Sequence, residues 1–214
     1  FKNIYGQDLA IELLKSAIEK KQIAPAYLFA GPEGVGRKKT AKVFIKAILD
    51  KHQEKEGTTR KIESNNHPDV LWIEPSYLVQ GKSLSKSVAR AENISVKSPP
   101  QIRLSQIKDI IEFLGKKPFK SERSIVIIED IEKINESASN ALLKTLEETN
   151  TGLFILITER PEQLLSTIRS RCQIVPFTRL NDNQLNKIIQ KSEVFEEIDY
   201  NPRDQIKELI DFSH

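Results

Sequence analysis

The residues with the clearest chemical potential form the run Gly31-Pro-Glu-Gly34-Val-Gly36-Arg37-Lys38-Lys39-Thr40. It follows the short apolar segment AYLFAG (26–31) and precedes a helical pattern over 38–49. A loop in that position can turn successive backbone N–H groups onto an anion, and the helix N-terminus adds a positive end. Gly31 and Gly36 match the spacing G-x-x-x-x-G-K-[ST] of a phosphate-binding loop. The next two positions do not match. Arg37 stands in the lysine slot and Lys38 in the hydroxyl slot. A guanidinium is bulkier than an ammonium, and a lysine cannot ligate Mg²⁺. Thr40 lies two residues beyond the slot, about 200° around a helix. The loop therefore reads as a phosphate-loop scaffold whose ATP chemistry is doubtful; the plainer alternative is a tight strand-to-helix turn without nucleotide.

Three further groups could join such a site. Glu129 and Asp130 end the apolar run SIVIIED (124–130), where a metal ligand and a water-activating carboxylate sit in nucleotide-hydrolysing sheets. Their order is reversed from Asp-Glu, which displaces both carboxylates; equally, the two acids merely end a strand. Thr158 closes GLFILIT and could reach a γ-phosphate, although a lone Thr is an ordinary strand former. In Ser170-Arg171-Cys172, Arg171 follows a short helical stretch. It could serve phosphoryl transfer in a neighbouring subunit, and Arg169 is its rival. His67 has no partners at metal spacing and reads as structural, and Cys172 shows no sign of activation.

The elements that must position these residues alternate. Helical periodicity marks 8–20, 38–49, 103–114, 136–148 and 163–171; strand-like apolar runs mark 26–31, 69–75, 124–130, 152–159 and 173–177. Uninterrupted apolar strands between amphipathic helices predict an α/β parallel sheet covered on both faces. Residues 50–66 read as a polar excursion, and 76–100, rich in Ser and Lys, as an exposed and mobile insertion. A boundary is expected at 177, with 178–214 opening a helical second domain capped at Asn181 or Asp182.

Composition narrows the class. The chain has 214 residues, 33 Lys plus Arg against 30 acids, and one Cys. A disulfide within the chain and a Cys-based zinc site are excluded, and a lone thiol suits the reducing cytoplasm. No run of about 18 apolar residues occurs, so no membrane span is expected. The opening FKNIYGQ carries no basic-then-apolar leader, and the lack of any Met marks the sequence as a piece of a longer chain. The net charge of +3 does not imply nucleic-acid binding. The stretch Gly81–Lys120, with nine basic and three acidic residues, keeps a DNA-binding module as one alternative.

The ordered set YLFAGPEGVG (27–36), NHPD (66–69), IVIIEDIEKINESASNALLKTLEE (125–148) and FILITERPEQLLSTIRSRC (154–172) resembles the delta-prime subunits of the bacterial DNA polymerase III clamp loader, a family of AAA+ proteins. The resemblance implies an AAA+ phosphate-loop-type sheet over 1–177, the start of a helical lid over 178–214, and a collar domain outside these residues. It implies a role in loading the sliding clamp on primer-template DNA, with gamma/tau and delta subunits as partners and no membrane. It assigns Arg171 as an arginine finger acting in trans, supported by Ser170 and Cys172. It aligns Gly31, Gly34, Gly36, Arg37, Lys38, Glu129, Asp130 and Thr158 with a nucleotide site that is degenerate here, so ATP and Mg²⁺ are doubtful cofactors. Intrinsic ATPase or polymerase chemistry is not expected. Related proteins often carry four cysteines before NHPD; residues 50–65 have none, so zinc is not expected. An ATP-hydrolysing gamma/tau-like subunit is the alternative.

Overall fold

In a computed structural model, residues 1, 4–49, 55–148, 152–182, 184 and 185 are described, those of 55–58 without side chains. The chain divides into two compact units, Phe1–Arg179 and Leu180–His214. In the first, five strands form one parallel sheet: β1 (Ala26–Ala30), β2 (Val70–Ile73), β5 (Ser124–Ile128), β6 (Gly152–Thr158) and β7 (Gln173–Pro176), in the order β2-β5-β6-β1-β7. All residues of β1, β5 and β6 are buried, which is why these segments read as unbroken apolar runs.

Alternate side chains of each strand serve opposite faces. Tyr27, Phe29, Ile125, Ile127, Ile155 and Ile157 pack with Leu14 of α1 (Asp8–Glu19) and Phe44 and Ile45 of α2 (Arg37–Leu49). Leu28, Val126, Ile128, Phe154 and Leu156 pack with Ile107 and Ile110 of α5 (Leu104–Leu114) and Ala138 and Leu142 of α6 (Glu136–Glu148). The same cluster takes in Ile168 of the short α7 (Ser166–Arg169). The connection after β1 thus passes to one face and the connection after β6 to the other. The crevice between the carboxyl ends of these two neighbours is where such a sheet accepts ligands.

Several expectations are adjusted. Residues 76–100 are not irregular: β3 (Ser76–Val79) and β4 (Lys82–Ser85) form an antiparallel hairpin, followed by α4 (Lys86–Ala91). Gln80 and Gly81 both have positive φ, 49° and 78°, as a tight two-residue hairpin turn requires. The shortness of both strands and the polar sequence KSLS of the second hid it. The helix expected over 163–171 is interrupted. Pro161–Gln163 form one 3₁₀ turn, Leu164 and Leu165 are extended, and only Ser166–Arg169 are α-helical. The strand expected over 124–130 stops at Ile128 because Asp130 turns the chain in the left-handed region. Within 50–66, α3 spans Lys55–Glu63 and residues 50–54 lie outside the described set.

At the start of the second unit, Asn181 Oδ1 accepts the Gln184 N–H at 2.9 Å and Gln184 Oε1 accepts the Asn181 N–H at 3.0 Å. This reciprocal box makes Asn181, not Asp182, the N-cap. Of the expected helical domain over 178–214, residues 183 and 186–214 lie outside the described residues.

Candidate functional site

The glycine loop sits at the crevice. The Gly31 N–H donates to the Thr158 carbonyl at 3.2 Å, tying the loop's start to the end of β6. A Cβ on Gly31 would lie 2.3 Å from the Phe177 carbonyl oxygen, so only glycine fits. Gly36, at φ 92°, turns the chain into α2. Its carbonyl accepts both the N–H (2.8 Å) and the hydroxyl (3.0 Å) of Thr40. The hydroxyl nearest the motif is therefore committed to the helix start. Thr158 is fully buried, and its hydroxyl accepts the Arg160 N–H at 3.0 Å.

The charges around the loop are compensated by the chain itself. Arg37 is only 7% exposed; its Nη2 lies 3.4 Å from Glu159 Oε1, and its Nη1 has no partner among the described residues. Lys38 pairs with Glu129, whose other oxygen accepts Trp72 Nε1 at 2.5 Å. Asp130 Oδ2 accepts from both Lys86 and Lys133, each at 2.8 Å. Burial by itself would raise the Asp130 carboxyl; hydrogen bonds and charge from Lys133 and Lys86 outweigh it and hold the group at about 2. A Mg²⁺-nucleotide requires a ligating hydroxyl beside the loop and carboxylates open to metal and water. Here an ammonium stands in the hydroxyl slot and ammonium groups occupy both acids, so these residues do not fit that group.

The Ser170-Arg171-Cys172 motif lies elsewhere. It immediately precedes β7, whose first residue pairs with Tyr27 near the start of β1. The motif is thus toward the amino edge of the sheet, while the glycine loop, Glu129, Asp130 and Thr158 gather at the carboxyl edge. Arg171 is exposed. Its Nη1 donates to the Thr167 carbonyl at 2.9 Å and its Nη2 to Glu147 Oε1 at 2.5 Å. The Ser170 hydroxyl shares the Thr167 carbonyl at 3.1 Å. Cys172 packs against the α5–α6 side of the core, where burial pushes its thiol up to about 12, far from a nucleophilic thiolate. Arg169 is half-buried, its Nε enclosed without a partner among the described residues, so it is the less available guanidinium.

Sequence reading missed Trp72, Lys86, Lys133, Glu147 and Glu159. All five stood in segments it had singled out, Trp72 in 69–75, Lys86 in the basic stretch, Lys133 and Glu147 in 125–148 and Glu159 in 152–159, but none was given a role. The NHPD motif has a structural explanation. The buried Asp69 carboxylate accepts the N–H groups of Phe119, Lys120 and Ser121 at 2.5, 2.6 and 2.8 Å. The Asp69 N–H donates to His67 Nδ1 at 3.2 Å. Among the described residues, no three His, Cys, Asp or Glu side chains group as metal ligands, and no helix is long and apolar enough to cross a membrane.

The chain is 32% identical over 194 residues to DNA polymerase III subunit delta′ of Bacillus subtilis, covering 88% of this chain and 52% of that one. It is 29% identical over 205 residues to subunit tau of the same organism, covering 91% and 32%. The chain thus spans about half, or less, of these relatives. Among solved structures it superposes on a gamma-subunit-related protein of Thermotoga maritima with a TM-score of 0.52, at 23% identity over 88% of this chain and 52% of that one. It also superposes on the RuvB Holliday junction branch migration motor of the same organism, with a TM-score of 0.52, at 17% identity over 91% and 52%. These likenesses establish the AAA+ α/β fold. The family described as "DNA polymerase III, delta subunit" matches residues 6–181, from α1 through the glycine loop and the Arg171 motif to the end of the sheet, and the chain belongs to it.

Proposed function

We propose that this chain is the AAA+ part of a delta-prime-like clamp-loader subunit that does not turn over ATP itself and presents Arg171 to the ATP site of an adjacent gamma/tau-type subunit. The observation that carries this reading is the pairing of both strand-end acids with the chain's own lysines, Lys38 on Glu129 and Lys86 with Lys133 on Asp130. A site neutralised in this way has no carboxylate free for Mg²⁺. Arg171, at the opposite edge, cannot serve its own crevice, but it is open to a neighbour. A guanidinium placed against a transferring γ-phosphate stabilises the charge spread over its oxygens.

In the same reading, residues 178–214 begin the lid and the protein works in the cytoplasm with delta, the sliding clamp and primer-template DNA. Contact with DNA is then made through the assembly. The basic stretch Gly81–Lys120 is a weaker candidate for DNA than its charge alone implies. Lys86 is held by Asp130, Lys116 by Glu112 at 2.8 Å, and the Arg103 guanidinium donates to the carbonyls of Ser76 and Gln101.

Calorimetric titration of the purified full-length chain with Mg-ATP tests the first half of the proposal. No sub-millimolar binding is expected. Binding that Gly36→Val abolishes would revive the ATPase-like alternative, and hydrolysis by the chain alone would establish it.

A further inference from the structure

We infer that Glu147 is the positioning residue that holds the Arg171 guanidinium ready for a neighbour's phosphate; this rests on the reading of Arg171 as a finger. The guanidinium has five N–H donors. One on Nη2 goes to Glu147 Oε1 at 2.5 Å and one on Nη1 to the Thr167 carbonyl at 2.9 Å. Three remain for a ligand. The two acceptors come from different elements, Glu147 from the last turn of α6 and Thr167 from α7. Together they anchor the fork at both terminal nitrogens. A free arginine carries roughly 2 kcal/mol of rotamer entropy that a ligand would otherwise have to overcome.

Stability does not account for the pair. Both side chains are well exposed, 37% for Arg171 and 44% for Glu147, and exposed ion pairs contribute about 0–1 kcal/mol. The location of Glu147 is also unfavourable in isolation. It lies in the last turn of α6, which carries no basic residue, so its charge faces the negative end of the helix dipole. Arg171 supplies the missing cation. Glu112 with Lys116 is a more exposed pair elsewhere on the surface and serves as a control for removing a surface carboxylate.

The test is steady-state ATP hydrolysis by the assembled loader, with primed DNA and clamp. Glu147→Ala is expected to lower kcat about tenfold, the scale expected when a reacting group is held loosely instead of in register, with KM for ATP nearly unchanged. Glu147→Gln, which keeps an oxygen acceptor for Nη2, should recover most of the rate. The double variant Glu147→Ala/Arg171→Ala should be no slower than Arg171→Ala alone. Melting temperature and subunit assembly should match the parent, and Glu112→Ala should change neither rate nor stability. Parental or faster turnover in Glu147→Ala, or an additive loss in the double variant, would overturn the inference while leaving the finger standing. Parental turnover in Arg171→Ala would instead remove the finger and this inference with it.

Discussion

The carboxyl edge of the sheet and its amino edge both pair charge within the chain, but they leave different amounts of it open to a partner. At the carboxyl edge, Glu129 and Asp130 are buried and bound to ammonium groups of the same chain, and Arg37 is buried beside Glu159. At the amino edge, Arg171 is exposed and retains donors after two are used. On the proposed reading, a phosphate-loop scaffold keeps its shape here without its own ATP chemistry. Gly31 is demanded by its close approach to Phe177, and the polar groups around the loop neutralise each other.

The comparison can be broken most decisively at its exposed end. Arg171→Ala should leave the subunit folded and assembled while lowering ATP turnover of the complete loader by roughly 10³–10⁵, the loss associated with removing such a finger. Normal turnover, measured by phosphate release, would end the assignment.

At the carboxyl edge the expected effects are on folding. Gly31→Val places atoms against the Phe177 carbonyl and should destabilise the domain by about 2–3 kcal/mol, read as a shift of the urea midpoint at constant slope. A tolerated valine would mean that the loop is less tightly seated on β7 than the geometry shows.

Asp130 gives a pH signature. Its carboxyl is lowered from the ordinary 3.8 to about 2, so its contribution is present above about 3.8 and is lost as pH falls toward 2. That contribution is about 1–2 kcal/mol. Asp130→Asn should therefore flatten the difference in urea stability between pH 5 and pH 2, while Glu112→Gln, on the surface, should not. The smallest expected effect is at Cys172: with its thiol pushed up to about 12, it should react with a maleimide at pH 8 far more slowly than a free thiol. Rapid labelling of the native chain would show that the packing around the motif is looser than described.

Much of the architecture was legible because it depends on local periodicity. Residues 136–148 were read as a helix and 26–31, 124–130 and 152–159 as buried strands, and the structure places α6, β1, β5 and β6 there. The hairpin at 76–85 was not legible. Its strands have four residues each, its turn is Gln80-Gly81, and Tyr77-Leu78-Val79 is an unalternating run with Leu78 exposed, so no apolar alternation marked it. The site divides in the same way. Arg37 and Lys38 in the wrong slots could be read from spacing alone. Lys133, three residues from Asp130, was within local reach, whereas Lys86, which reaches Asp130 across 44 residues, and Trp72, which reaches Glu129 across 57, were not.

The sequence by itself determined the alternation of strands and helices, the glycine loop with its mismatched slots, and the Ser170-Arg171-Cys172 motif. Each is written in neighbouring residues whose spacing matches a turn, a pleat or a loop. Only the tertiary structure decided which charges meet, and hence that Asp130 is held between two lysines while Arg171 faces outward with Glu147 beside it. The physical reason is range. Hydrogen-bonded elements are specified over a few residues, whereas an ion pair forms wherever the fold brings two side chains together, at any separation along the chain.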